Sequence, residues 1–215
     1  MSLFGCSERS DPEVLAPGLL LHREYFSRKA QQELVTALRI IIQAAPLFTP
    51  RMPRTGTPFS VRMTNCGPMG WVSDIAGYRY QATHPETATV WPPMPEALLD
   101  AWQGLSGFAH PAEACLVNWY EGKARMGLHQ DRDEQEFTAP VLSVSLGDSC
   151  LFRYGGMKRQ DPTQSVTLES GDVLLIGGAS RLCFHGVDRV MAGSNDLLPR
   201  GGRINLTMRR VTGAK

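Results

Sequence analysis

Cysteine is scarce in this chain and never paired in sequence. Cys6, Cys66, Cys115, Cys150 and Cys183 are an odd number with no C-x-x-C spacing, which suits reduced packing thiols in a cytosolic protein better than a disulfide framework. Long apolar runs are missing as well. No stretch approaches the roughly 18 apolar residues of a membrane span, and MSLFGCSERSDPEVL lacks a basic segment followed by an apolar one. A soluble, untargeted, cytoplasmic protein with no membrane partner is therefore expected. Net charge is only +1, so the total argues neither for general adhesion to nucleic acid nor for an acidic tail. Acid is absent between Glu33 and Asp74, however, where Arg39, Arg51, Arg54 and Arg62 all fall. That interval is a basic stretch, with an ordinary solvated loop as its alternative.

With 215 residues, 42% of them hydrophobic, the chain can bury one sizeable core, and a single domain over 1–215 is expected. Residues 1 to about 14 read as a loose arm. SRKAQQELVTALRIIIQAAP offers Ser27 as an N-cap, apolar Ala30, Leu34, Leu38, Ile41 and Ile42, and Pro46 as a stop, which predicts an amphipathic helix. PLFTPRMPRTGTPFS, with four prolines, reads as a loop. A second, shorter helix is predicted around PEALLDAWQGLSG. After about residue 112 short β-rich runs follow one another between Gly, Asp and Pro turns: EACLVNWY, VLSVSLG, CLFRY, SVTLE, DVLLIGG, LCFHGV and RINLTMRRV. A C-terminal sandwich or barrel buttressed by helices from the first half is the expectation.

The segment GLHQDRDE, residues 127–134, holds His129 and Asp131 two positions apart. In an extended segment that spacing aims both side chains at one face. A capped turn uses the same residue types, so the pair alone leaves both readings open. His185 in LCFHGV supplies a third ligand candidate. Two histidines and one carboxylate leave the remaining metal positions open, the arrangement of non-haem Fe(II) oxygenases. His22, His84 and His110 lack such company and are read as structural or surface residues.

In RINLTMR, period two places Arg203, Asn205, Thr207 and Arg209 on one face and Ile204, Leu206 and Met208 on the other. An apolar opposite face implies burial on both sides, and two arginines inside a small barrel need an anion, for which a carboxylate is the natural partner. A wet cationic edge strand is the alternative. Asn118 and Tyr120 in LVNWY share a face and offer neutral hydrogen bonds to the same anion. Together these residues predict iron held by three side chains and a small dicarboxylate running from metal to arginine, as in a 2-oxoglutarate-dependent oxygenase.

With these residues in place the chain resembles the AlkB family of Fe(II)/2-oxoglutarate dioxygenases, which remove alkyl groups from nucleobases, and its bacterial members in particular. The resemblance runs from about Leu15 to Val211. MTNCG with GW four residues after Cys66, then GYRY, NWY, LHQDRDE, SVSLG, GDV, SRLCFHG and RINLTMR carry it, in the family's order and spacing. It implies a mainly β fold with flanking helices, a double-stranded β-helix or jelly roll over about 112–212. An N-terminal nucleotide-recognition lid would occupy about 46–92.

The resemblance also implies roles. His129, Asp131 and His185 would hold Fe(II), and Arg209 joins them among the catalytic residues. Arg203 would pair with the distal carboxylate of 2-oxoglutarate, assisted by Tyr120 and Asn205, with Arg209 and Asn118 toward its metal-bound end. Trp71 would stack a flipped base against His129, Met63 would line the pocket, and Asp133 would meet the exocyclic amine. Tyr78, Arg79 and Tyr80 would hold the substrate backbone, with Arg159 as a further contact. The implied activity is direct-reversal repair: O2-dependent oxidative demethylation of N1-methyladenine and N3-methylcytosine in single-stranded DNA, releasing formaldehyde, by a monomer. RNA and a base flipped from duplex DNA are further substrates in view. Competing readings are a tRNA or messenger RNA demethylase, a hydroxylase of a protein or small molecule, and a non-catalytic metal-binding cupin. Two positions depart from the bacterial pattern: Trp119 stands where Arg is usual and Ile176 where Trp is usual.

Overall fold

A computed structural model describes residues 11–213; residues 1–10 of the expected arm lie outside it. Glu13 and Val14, counted with the arm in the sequence, begin strand β1 (Glu13–Ala16), which turns through Pro17 and Gly18 into β2 (Leu19–His22). Gly18 has φ 82°, and a Cβ there would lie 2.1 Å from the Gly177 carbonyl oxygen, so no other residue fits this turn. Helix α1 (Arg28–Ala44) starts where Ser27 Oγ accepts the Ala30 N–H at 3.3 Å. It buries Leu34, Val35, Leu38 and Ile41. Buried Gln31 on the same face donates to the Phe26 carbonyl and accepts from Ser170, which ties the helix to the sheet below.

The remaining elements are β3 (Arg62–Cys66), β4 (Gly70–Asp74), β5 (Gly77–Gln81), α2 (Glu96–Leu105), β6 (Ala114–Tyr120), β7 (Met126–His129) and β8 (Val141–Gly147). They continue with β9 (Cys150–Tyr154), β10 (Gln164–Leu168), β11 (Val173–Ile176), β12 (His185–Val190) and β13 (Arg203–Arg209). A seven-stranded sheet in the order β1-β2-β11-β8-β13-β6-β3 faces a four-stranded sheet, β10-β9-β12-β7, and all pairings are antiparallel. This is the jelly roll. The first half of the chain does more than buttress it: β1, β2 and β3 complete the large sheet. LLLH and RMTNC are too short to show a period of their own.

Both helices pack on the outer face of the large sheet, Leu38, Ile41, Leu98 and Trp102 against Val117, Leu142, Val144, Ile204, Leu206 and Met208. Each such buried side chain contributes about 1.5–3 kcal/mol. Trp119 belongs to this outer side, and neighbouring Asn118 and Tyr120 face inward, as strand parity requires. Between the sheets lies a second cluster containing Leu116, Val141, Phe152, Leu168, Leu174, Ile176 and Val187. β13 is thus buried on both faces, and its polar face looks into the space between the sheets.

Within 46–92, β3 joins the large sheet and β4–β5 forms a hairpin of its own. Asn65, fully buried, clasps the hairpin: its Oδ1 accepts the Trp71 N–H and its Nδ2 donates to the Trp71 carbonyl, both at 3.0 Å. A Cβ at Gly70 would lie 2.4 Å from the Trp91 ring, which accounts for glycine before the tryptophan. Among the described residues no helix is long and apolar enough to cross a membrane. Cys66, Cys115, Cys150 and Cys183 are buried free thiols.

Candidate active site

His129 ends β7 and His185 begins β12, and the two are direct register partners across that antiparallel pair. Their ring centroids are 4.6 Å apart. Asp131, two residues after His129, enters from the same side, with Oδ1 3.9 Å from His129 Nε2 and Oδ2 3.8 Å from His185 Nε2. Each histidine sets Nδ1 against a backbone carbonyl, His129 on Gly127 at 2.9 Å and His185 on Cys183 at 3.1 Å. A carbonyl can only accept, so Nδ1 carries the proton and Nε2 presents its lone pair inward. Burial, with His129 beside it, pushes the His185 imidazole down to about 4. Burial opposes ionisation of Asp131 too, but the Arg209 guanidinium bonded to it outweighs that and holds the carboxyl well below its ordinary value. Both groups therefore stand in the forms that bind a metal. Asp131 Oδ2 is buried with no hydrogen-bond partner, and the three ligand atoms lie within 4.8 Å of one another. A divalent cation fits this donor set.

Arg209, at the end of β13, donates from Nη2 to Asp131 Oδ1 at 2.8 Å. Arg203 lies at the other end of the strand, 1% exposed. Neutral oxygens alone meet its guanidinium among the described residues: Ser145 Oγ at 2.8 Å and the Asp148 carbonyl at 3.3 Å. A buried guanidinium without a counter-charge is costly unless an anion completes it. Asn118 donates to Asn205 and Thr207, and Asn205 in turn to Ser143. Among the described residues, buried side-chain polar atoms without a hydrogen-bond partner are Asn118 Oδ1, Asp131 Oδ2, Arg203 Nε, Arg209 Nε and Nη1, and the Trp119 indole nitrogen. All but the last line one cavity. Such groups are costly to leave unsatisfied, and their convergence suits a ligand with an acidic end toward Arg203 and polar atoms toward Arg209 and the triad.

The cavity, of about 820 Å³, runs from Arg203 past the triad to the hairpin. Ile176 and Phe152 wall its inner part. At its mouth Trp71 Nε1 donates to Asp133 Oδ2 at 2.8 Å, and Tyr78 lies stacked on the Trp71 ring at 5.6 Å and 18°. Buried Met63 lines the cavity below them, and Arg159 lines it with its guanidinium over the Phe184 ring. Arg79 and Tyr80 are placed differently. Arg79 projects from the opposite face of β5 and pairs with Asp74 at 2.9 Å, and the Tyr80 hydroxyl is bound to Glu134; neither lines the cavity.

Glu134 and Arg181 are functional neighbours that the sequence reading passed over. Arg181 donates to the backbone oxygen of Asp131 at 2.7 Å and to Glu134 Oε2 at 3.1 Å. Both residues stand in motifs quoted above, LHQDRDE and SRLCFHG. Their type gave no signal, because a charged residue in a charged stretch is ordinarily solvated.

Residues 18–209 match the 2OG-Fe(II) oxygenase superfamily. The chain is 50% identical over 200 residues to the alpha-ketoglutarate-dependent dioxygenase AlkB homolog of Caulobacter vibrioides, covering 93% of this chain and 90% of that protein. It is 37% identical to Escherichia coli alpha-ketoglutarate-dependent dioxygenase AlkB, over 98% of both chains. The solved structure of OsALKBH1 superposes with a TM-score of 0.78 at 32% identity, covering 93% of this chain and 99% of that one. A jelly roll with two histidines, a carboxylate and an unneutralised arginine around one cavity is what such chemistry requires, and the chain belongs to the Fe(II)/2-oxoglutarate-dependent dioxygenases of the bacterial AlkB type.

Proposed function

We propose that this enzyme oxidatively demethylates N1-methyladenine and N3-methylcytosine in single-stranded DNA, releasing formaldehyde and restoring the base. The observation that carries this reading is the single cavity in which Arg203, the His129–Asp131–His185 triad and the Trp71–Asp133 pair follow one another. His129, Asp131 and His185 would hold Fe(II). Among the described residues Arg203 is the one deeply buried arginine without an acidic partner, and it would take the distal carboxylate of 2-oxoglutarate with Tyr120 and Asn205 beside it. Arg209, donating from Nη1, and Asn118 would lie toward its metal-bound end. Bound there with O2, these cofactors supply the oxidant that hydroxylates an N-methyl carbon, after which the hydroxymethyl group leaves as formaldehyde.

The protein's part is placement and charge. Alkylation at these ring nitrogens leaves a cationic base, for which an indole face and a carboxylate are suited. Trp71 provides the face and Asp133 the charge; stacking on one such ring is worth about 1–3 kcal/mol. Tyr78 and Arg159 stand at the same rim for the flanking sugar and phosphate, and buried Met63 would line the base pocket below them. Arg79 would join them by exchanging its half-exposed partner Asp74 for a phosphate, and Tyr80 acts from behind, through Glu134. An unpaired base needs no extrusion, so single-stranded DNA comes before duplex, where extrusion costs about a few kcal/mol. One chain supplies every residue named, so a monomer suffices.

The assay is incubation with Fe(II), 2-oxoglutarate, O2 and a single-stranded oligonucleotide carrying N1-methyladenine, following succinate and base mass. Loss of one methylene mass per lesion with an equal amount of succinate is expected. Succinate formation without change in the base would remove this substrate and send the search to RNA or protein.

A further inference from the structure

Glu134 is 5% exposed although its neighbours Arg132 and Asp133 are exposed. Its Oε1 accepts the Tyr80 phenol and lies 3.4 Å from Arg209 Nε, and its Oε2 accepts from Arg181 Nη2 at 3.1 Å. Both arginines continue to Asp131: Arg209 Nη2 reaches its carboxylate at 2.8 Å and Arg181 Nη1 its backbone oxygen at 2.7 Å. Asp131 is thus gripped by side chain and by main chain, and both grips end on Glu134. Two carboxylates and two guanidiniums balance in this buried cluster. Without the Glu134 charge, Asp131 alone would answer both cations, and a carboxylate drawn onto guanidinium is a weaker metal donor.

The cluster also reaches the hairpin. Tyr80 on β5 faces Trp71 on β4 across the register, so its bond to Glu134 anchors the element that carries the Trp71 ring. Ordering one member of such a chain lowers the entropic cost of ordering the next.

We propose that Glu134 is a positioning residue that holds Asp131 in its metal-binding pose through Arg209 and Arg181. Through Tyr80, the same group makes metal loading stiffen the β4–β5 hairpin. The inference rests on Asp131 as a metal ligand and involves no nucleic acid, so its failure is distinguishable from failure of the substrate reading.

The test uses metal-free full-length protein titrated with Co(II), with visible absorption reporting the ligand field and hydrogen exchange reporting hairpin amides. Glu134→Gln lowers Co(II) affinity about 10–100-fold and shifts the visible bands. In the unmodified chain Co(II) slows exchange over residues 77–81 by about fivefold or more. Tyr80→Phe, which keeps all four charges, binds Co(II) but loses that protection, and it carries the test alone should Glu134→Gln not fold. Three results overturn the proposal: unchanged affinity and bands in Glu134→Gln, hairpin exchange indifferent to Co(II) in the unmodified chain, or full protection in Tyr80→Phe. Absence of any Co(II) uptake by the unmodified chain would overturn the metal reading and this inference with it.

Discussion

The indole Nε1 of Trp71 donates to the carboxylate of Asp133 across the mouth of the cavity at 2.8 Å, so a residue of the hairpin and one from the loop that carries Asp131 form a single wall. If one base stacks on that indole, Trp71→Ala weakens binding of a methylated oligonucleotide by about 1–3 kcal/mol, read by fluorescence anisotropy. Unchanged affinity and turnover would mean the ring is only packed.

Asp131→Ala removes the one carboxylate of the triad and the anion nearest Arg209. Metal binding and succinate formation should vanish together. Undiminished turnover in this variant takes Asp131 out of the metal site.

If Arg203 takes the distal carboxylate, its charge is carried at a cost to the protein without that ligand. Arg203→Met removes a buried cation that meets only neutral oxygens, and replacing buried charge with apolar bulk is often neutral or stabilising. The variant should therefore melt no lower than the unmodified protein yet lose about 2 kcal/mol or more of 2-oxoglutarate binding. Adding Co(II) with 2-oxoglutarate should raise Tm in the unmodified protein and not in the variant. An equal rise in both would place the dicarboxylate elsewhere.

His185, pushed by burial and by His129 down to about 4 from an ordinary 6.5, ties stability to pH. As pH falls, the unfolded chain takes up this proton first, so the contribution is complete above 6.5 and is lost between about 6.5 and 4. Urea midpoints of metal-free protein should drop through that window, and His185→Gln should flatten the drop. Equal slopes would show that His185 is not held neutral by the fold.

The inner face of β13 and the H-x-D pair could be read from sequence because local geometry decides them: period two sorts Arg203 to Arg209, and two-residue spacing sorts His129 and Asp131, whereas His185 joins the pair only through the register of β12 on β7. What could not be read depends on distant partners. Tyr78 and Tyr80 have the same parity, yet one lies at the rim and the other on Glu134. Glu134 sits in a run of charges and is buried only because Arg181 and Arg209 arrive from far along the chain. β1 to β3 were missed because four or five residues carry no readable period and only pairing makes them strands, β1 with β2, β2 with β11 and β3 with β6.

The most direct measurement is a crystal structure of the full chain grown without oxygen in Mn(II), 2-oxoglutarate and a trinucleotide bearing N1-methyladenine. The account predicts an anomalous peak among His129, Asp131 and His185, the distal carboxylate on Arg203, and the methylated base against Trp71 with its amine toward Asp133. Metal outside the triad, or a dicarboxylate that leaves Arg203 unpaired, would contradict it.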